Sequence, residues 1–254
     1  MCGKMYRILL NLSFVALLST ATAVHADTIF GVYAGAGSWQ QKFSGDTTSG
    51  IINIDVEDDL GLDDETNNVF YVALEHPVPG IPNLRLQYVS LDTSASNTLT
   101  RTIDFNGTVF SVSDDIATQI ELTQADAVLY YEVLDNWLSL DIGVNARYID
   151  STFGIASSTE SASAQFTGVV PMLYGKARFD LPFSGAWAAI EAQGIGYSGN
   201  SLIDASALVG WESPLGLGAE LGWRTYRLEL DGADDFDQLN LDVSGLYAAI
   251  NFHF

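Results

Sequence analysis

Histidine is the residue type that most often serves as a catalytic base, because its pKa lies near neutrality. Beyond residue 26 the sequence contains two histidines, His76 beside a proline-rich segment and His253 next to the last residue. A hydrolase needs such a base within reach of a nucleophile or water, oriented by a third group. Both positions fall at the turn-bearing end of the strands predicted below. We therefore expect two structural histidines, no catalytic residue and no enzymatic activity.

Carboxylates form a second set, concentrated between residues 55 and 65. Hard cations such as Ca²⁺ take about six to eight oxygen ligands, so this density suggests weak binding of Ca²⁺ or Mg²⁺; no other cofactor is expected. The spacing does not fit an EF-hand, because Leu60 stands where glycine is required. The favoured interpretation is a solvated loop that limits aggregation and repels anions, and weak cation binding is the alternative. The candidate cation ligands are Asp55, Glu57, Asp58, Asp59, Asp63 and Asp64.

A third set of charges alternates with apolar residues. Between Leu138 and Tyr148 every second residue is apolar, and Asp141 and Arg147 lie between them. Successive side chains of a strand point to opposite faces, so this segment predicts a strand with one apolar and one polar face. Other segments repeat the pattern. The charges predicted to share the enclosed polar face are Arg85, Arg147, Lys176, Arg178 and Arg224, with Glu75, Glu132, Asp141, Asp180, Glu191, Asp204, Glu212 and Glu220.

Two roles are open for these enclosed charges. A narrow barrel is mostly filled by side chains, and buried charges must pair or be hydrated, which favours an ion-paired plug. Because the enclosed acids outnumber the bases, the alternative is a narrow aqueous channel that prefers cations.

The elements that position these residues are predicted to be about ten strands of an all-β, antiparallel up-and-down transmembrane β-barrel, with eight or twelve as alternatives. The chain is 48% hydrophobic, carries a formal net charge of −22 and has no 18-residue apolar run after residue 26. This combination excludes a helical membrane protein and is typical of strands with alternating faces. The first four predicted strands cover residues 28–40, 68–76, 84–103 and 109–133.

The connections between the predicted strands alternate in character. Short turns rich in Pro, Gly or Asn follow the even strands, and longer polar or acidic loops, such as 44–66, follow the odd strands. This asymmetry is typical of outer-membrane barrels. Residues 105–108 read as a tight hairpin that projects beyond the membrane. Four tryptophans near strand ends are predicted to form interfacial girdles: Trp137, Trp187, Trp211 and Trp223.

The two ends of the sequence predict export and assembly. Lys4 and Arg7 precede an apolar segment at residues 8–18, so we expect residues 1–26 to be a cleaved secretory signal peptide and 27–254 to form one barrel domain. Residues 246–254 alternate between an apolar row and a mostly polar row. They resemble the closing strand of bacterial outer-membrane barrels, and this resemblance implies an assembly signal that includes Phe252 and Phe254.

Four segments resemble one family over essentially all of residues 27–254. DTIFGVYAGAGSWQ, EDDLGLDDE, FYVALEHPVPGIPNLRLQY and YYEVLDNWLSLDIGVNARY together are similar to an uncharacterised family of proteobacterial outer-membrane β-barrel proteins. The resemblance implies a location in the outer membrane, with both termini periplasmic, and no established activity. The implied partners are outer-membrane lipid, lipopolysaccharide and the barrel-assembly machinery; the oligomeric state is not predicted.

The expected role is structural, surface-binding or that of a narrow cation-preferring channel. After residue 26, eight basic residues face 32 acidic ones, which argues against nucleic acid as a partner. Cys2 is the only cysteine, so we expect the exported chain to lack thiol chemistry. Two alternatives stay open: an outer-membrane enzyme that uses carboxylates at the barrel rim, and a soluble periplasmic β-barrel that binds a ligand.

Overall fold

The computed structural model describes residues 30–49, 52–233 and 236–253. The predicted signal peptide and Phe254 lie outside these ranges. In the described chain, no helix is long and apolar enough to cross a membrane. The described strands, numbered in chain order, are β1 (Gly31–Ser49), β2 (Ile52–Asp55), β3 (Glu65–Glu75), β4 (Asn83–Ser90), β5 (Thr93–Thr98), β6 (Ile103–Phe105), β7 (Thr108–Phe110), β8 (Asp115–Leu134), β9 (Leu138–Ala156), β10 (Ser161–Asp180), β11 (Ala186–Tyr197), β12 (Asn200–Glu212), β13 (Leu217–Ala233) and β14 (Phe236–His253).

Ten of these strands close into an antiparallel barrel that follows the order of the chain. β1, β3, β4 and β8 to β14 each pair with the next strand of this series. β14 then pairs with β1, from Tyr33 opposite His253 to Thr48 opposite Gln238, which closes the wall. The predicted fold class, an all-β up-and-down barrel of ten strands, is confirmed. β2 and β5 add short pairings to β1 and β8.

The two ends of the barrel differ. The turn end holds residues 30 and 253 and the tight connections at 76–82, 135–137, 181–185 and 213–216. The loop end holds β2, β5 and the β6–β7 hairpin. The prediction of a long loop at 44–66 was wrong, because much of this segment is strand. β1 continues to Ser49, β2 pairs back onto β1, and β3 begins at Glu65. The predicted third strand is likewise divided into β4 and β5.

The apolar face of the wall changes sides between the turn end and the loop end, as β9 shows. In its first half Ile142 and Val144 are exposed on the outside, while Asp141 and Arg147 are buried inside. Beyond Tyr148 the inward row contains the apolar residues Ile149, Phe153 and Ile155, and the outward row begins with the polar residues Asp150 and Thr152. β8 and β14 change at the same level. The half at the turn end is therefore apolar outside, whereas the half at the loop end has an apolar core like that of a soluble barrel.

The loop-end core is covered by the β6–β7 hairpin. Asn106 and Gly107 have φ angles of 49° and 78°, the left-handed conformation of the two-residue turn that the sequence predicts. Ile103, Phe105 and Phe110 are fully buried in the main apolar cluster. The Phe105 ring lies 4.9 Å from that of Phe153. These three apolar side chains hold the hairpin over the loop end of the barrel as a cap. Its position beyond the membrane stays a prediction.

Candidate functional site

The inward charges meet in a layer across the middle of the barrel, which we call the ionic layer. Arg147 donates two hydrogen bonds to the carboxylate of Asp126, both of 2.7 Å, and a third of 2.7 Å to Asp204. Arg224 donates to both oxygens of Asp204, at 2.9 and 2.6 Å. The paired strands β8 and β9 supply Asp126 and Arg147, and β12 and β13, beyond β10 and β11 in the wall, supply Asp204 and Arg224. Two guanidinium groups therefore neutralise two carboxylates.

Amide and aromatic groups complete the ionic layer. The amide nitrogen of Asn145 donates to Asp126 at 2.9 Å and to Gln193 at 2.7 Å. The Arg224 guanidinium lies 4.9 Å from the ring centroid of Trp39. Arg147 has 0% of its surface exposed. Because desolvating an ion costs several kcal/mol, a buried guanidinium is stabilised in its charged form by paired carboxylates. Nε and Nη2 of Arg147 make these contacts, whereas its Nη1 has no hydrogen-bond partner among the described residues.

A polar cavity of about 270 Å³ lies between the ionic layer and the turn end. Arg85 bonds to Glu191 at 2.7 Å in its wall. The hydroxyl groups of Tyr130 and Tyr247 donate to Glu75 and Glu220, both at 2.7 Å. Each carboxylate in these three contacts has a donor beside it. The same cavity is lined by Glu132, Asp141, Lys176, Arg178, Asp180 and Glu212.

All of the charges predicted to face the interior lie on inward faces. Arg147 lies above the polar cavity, in the ionic layer, and the others line the cavity. Sequence reasoning missed Asp126, Asn145 and Gln193 as members of that layer. The sequence did carry a signal for Asp126, because it shares the inward face of β8 with Gln124 and Val128 at a spacing of two residues. Trp187 is a correction to the predicted girdle: it is buried inside, 4.6 Å from Arg178, whereas the other three tryptophans are exposed.

The acidic segment directs much of its hydrogen bonding into its own loop. The Asp55 carboxylate accepts from the backbone N–H groups of Glu57 and Asp58 at 2.9 and 2.8 Å. Burial raises the pKa of Asp59, but hydrogen bonds from Arg101 and from the backbone N–H of Asp55 outweigh it and leave that pKa below its usual value. In the described ranges no three metal-binding side chains are grouped around a possible ion. Weak cation binding by Asp63, Asp64 and their neighbours stays a prediction.

Both histidines are engaged at the turn end. The His253 ring stacks on Tyr33 with 3.9 Å between centroids, and its Nδ1 lies 3.2 Å from Glu212. His76 contacts the carbonyl oxygen of Pro82 through Nε2 at 3.2 Å and accepts from the N–H of Val78 through Nδ1 at 3.3 Å. Neither ring is bonded to a serine, threonine or cysteine side chain in these contacts.

Comparison with known proteins gives similarities of structure alone. No family model and no curated protein matches the chain. The structure of the outer membrane protease OmpT from Escherichia coli matches at 10% identity over 89% of this chain and 96% of that one, with a TM-score of 0.49. The translocator domain of the autotransporter NalP from Neisseria meningitidis matches at 11% identity over 91% and 90%, with a TM-score of 0.44. The Pseudomonas putida toluene transporter TodX matches at 8% identity over 88% and 89%, with a TM-score of 0.35. At these values the similarities carry no argument about what this chain does.

Proposed function

We propose that the chain is an integral outer-membrane β-barrel without catalytic activity, whose lumen is closed by the ionic layer. The observation that carries the membrane position is the outer surface of the turn-end half. Each barrel strand contributes exposed apolar residues to it, among them Val72, Leu129, Ile142, Val144, Leu173, Ile190, Val209, Leu221 and Ile250. A soluble monomer rarely exposes an apolar surface that surrounds it, whereas a bilayer requires one.

The soluble ligand binder fits this surface poorly. In such a protein Ile142 and Val144 would pack into a closed core, but 53% and 54% of their surfaces are exposed. The apolar stretch of β9, from Leu138 to Tyr148, has the length of about ten residues that a tilted membrane-spanning strand requires. Exposed Trp137 and Trp211 near the turn end fit an interfacial aromatic girdle.

The ionic layer favours the plug over the channel. Its two arginines and two aspartates are mutually paired and carry no net charge, so the excess of acids does not extend through the middle of the lumen. Above it, the interior is lined by apolar side chains. An ion would have to leave water at both places, which is costly. The function that remains is structural or binding, at the surface or within the barrel.

The orientation and partners follow as parts of the proposal. We place the turn end in the periplasm, because short turns occupy that side of outer-membrane barrels. The loop end, with its acidic segment, then faces outward beside lipopolysaccharide. The exposed Phe252 lies in the outward row of β14, consistent with a closing strand that is read by the assembly machinery.

The test uses the full chain expressed in a Gram-negative host. We expect the protein in the outer-membrane fraction, with a folded band that shifts on an SDS gel only after heating. Planar-bilayer recordings of the purified protein should show no steady conductance. Recovery in the soluble fraction would contradict the membrane position. A steady ion-selective conductance would contradict the closed lumen.

A further inference from the structure

A second cavity lies on the loop-end side of the ionic layer. It has a volume of about 330 Å³ and a lining that is almost entirely apolar. Tyr226 lies between this cavity and the ionic layer, because it lines the cavity and its ring centroid is 6.0 Å from the Arg147 guanidinium. The apolar lining includes Ile149, Ala164, Leu202, Tyr226, Leu228 and Leu241. We call this space the apolar cavity.

The cavity is covered towards the loop end. Val56, which follows β2 and is buried, lines it from the cap side. Phe153 also lines it and packs on Phe105 of the β6–β7 hairpin. The ionic layer lies towards the turn end. Neither end of the barrel therefore offers an apolar path into the cavity.

The barrel wall is lower on one side. β10 pairs with β11 only as far as Leu173 opposite Gly194, although its pairing with β9 continues to Ser161. β12 pairs with β13 only as far as Ser201 opposite Glu229. Within the described chain, residues 161–172 of β10 consequently have no strand partner on the β11 side. We call the resulting gap above the short β11–β12 hairpin the lateral notch.

Apolar side chains mark the notch as the mouth of the cavity. Phe166, Ile195 and Tyr197 occupy positions that point inward by alternation, yet they are 52%, 39% and 81% exposed. All three line the apolar cavity. Inward residues become exposed in this way only where the neighbouring wall is missing. The cavity therefore opens sideways, between β10 and the β13–β14 pair.

The base of the notch lies at the upper edge of the apolar outer surface. On β12 the outward row changes from Ile203 to Ser201, and on β10 it changes from Val169 to Thr167. This edge is where the outer leaflet would end, so the mouth opens at the lipid interface. The placement at lipid rests on the proposed membrane position, whereas the cavity itself does not.

The charges near the notch select against anions. Glu229 accepts a hydrogen bond from Ser201 at 2.9 Å, and Asp150 accepts one from Thr167 at 2.9 Å. Asp231 lies beside the tip of the β11–β12 hairpin, where its backbone N–H donates to Asn200 at 2.8 Å. The nearby Arg227 is already paired with Asp242 at 2.8 Å. An anionic head group would therefore meet carboxylates.

We propose that the apolar cavity binds an uncharged apolar molecule and exchanges it with the outer leaflet through the lateral notch. A dry cavity of about 150 Å³ lined by aliphatic and aromatic side chains holds benzene. A volume of about 330 Å³ consequently has room for a two-ring aromatic molecule or a short hydrocarbon chain. The binding energy comes from removing the apolar surface of the ligand from water or from the interface.

The test uses N-phenyl-1-naphthylamine, an uncharged two-ring probe, with the full protein in lipid vesicles at a fixed lipid-to-protein ratio. Ala164→Phe fills the cavity from within. The matched control is Ala207→Phe, which adds the same ring on the outward face of β12. We expect saturable, one-to-one probe fluorescence with wild type and Ala207→Phe, and a loss of affinity of at least tenfold with Ala164→Phe. Wild-type protein that shows only partitioning into lipid would overturn the proposal.

Two further measurements test the mouth and the charge selection. Phe166→Asp places a carboxylate at the notch and should slow probe association about tenfold, whereas Val112→Asp, at an equally exposed apolar residue outside the cavity lining, should not. Equal association rates for the two variants would overturn the lateral route. The sulfonated analogue 1-anilinonaphthalene-8-sulfonate should bind at least tenfold more weakly, and equal binding would overturn the selection for uncharged molecules.

Heat-dependent mobility on SDS gels accompanies every variant. If Ala164→Phe does not fold, the Phe166→Asp and sulfonate measurements still decide the proposal. Protein that folds and inserts but binds no probe overturns this inference alone. Protein that does not insert overturns the proposed membrane function instead.

Discussion

Replacing Arg147 by alanine should destabilise the barrel more than any exposed arginine replacement. Arg147 is fully buried and makes three hydrogen bonds of 2.7 Å to Asp126 and Asp204. Its removal leaves Asp126 with amide partners alone and Asp204 with Arg224. Removing one partner of a buried ion pair costs about 3–5 kcal/mol of the free energy of unfolding, because the other partner stays buried without its counter-ion.

The matched control is Arg227→Ala. Arg227 also donates to an aspartate, Asp242, at 2.8 Å, but both side chains are largely exposed. Exposed ion pairs contribute little, so the control should remain close to wild type. Arg147→Lys should fall between the two, since an ammonium group keeps the charge but loses the planar, two-pronged contact.

The assay is reversible urea unfolding in lipid vesicles, followed by tryptophan fluorescence. The free energies of unfolding of wild type and the three variants are compared at one lipid composition. If Arg147→Ala loses no more stability than Arg227→Ala, the ionic layer is not a paired and desolvated structure. The lumen would then not be closed by paired charges.

Three further predictions concern the ends of the barrel. Deleting Phe254 should reduce assembly into the outer membrane, measured as the heat-shifted fraction, and normal assembly would count against an assembly signal in the last strand. The lowered pKa of Asp59 means that its contribution to the loop-end structure is present at neutral pH and is lost as the pH falls below about 4. Proteolysis of the 99–114 segment of wild type should therefore be faster below about pH 4 than at neutral pH. The Asp59→Asn variant should be cut at the same relative rate under both conditions. If this variant keeps the acid response, the response belongs to another titratable group. Ca²⁺ should leave the melting temperature unchanged, because Asp55 and Asp59 already accept hydrogen bonds within the loop, whereas a rise that Asp63→Asn abolishes would favour the cation loop.

Much of the wall could be predicted from the sequence because the alternation of side chains is a local property. The exposed row of Ile142 and Val144 and the buried positions of Asp141 and Arg147 follow from the two-residue period alone. The turn at Asn106 and Gly107 follows from residues that tolerate positive φ. The ten-strand closure follows from counting these local units.

The loop-end half was harder to predict because its apolar residues change faces. In β9 the apolar row passes from even positions up to Tyr148 to odd positions from Ile149 onward, and the sequence records this change of parity. What the sequence does not record is what those residues pack against. The burial of Phe105 and the height of the wall beside Phe166 depend on pairings between distant segments. The apolar cavity arises from such pairings and has no local signal.

The central claim is that the apolar surface of the turn-end half faces lipid and that the loop end faces outward. Single cysteines in a Cys2→Ser background test both parts at once, because the chain has no other cysteine. A membrane-impermeant maleimide applied to intact cells should label Asp150→Cys, which lies on the outward row above the apolar surface. It should not label Val144→Cys, six residues away on the same face of β9, until the protein is unfolded. Equal labelling of the two positions would contradict the account.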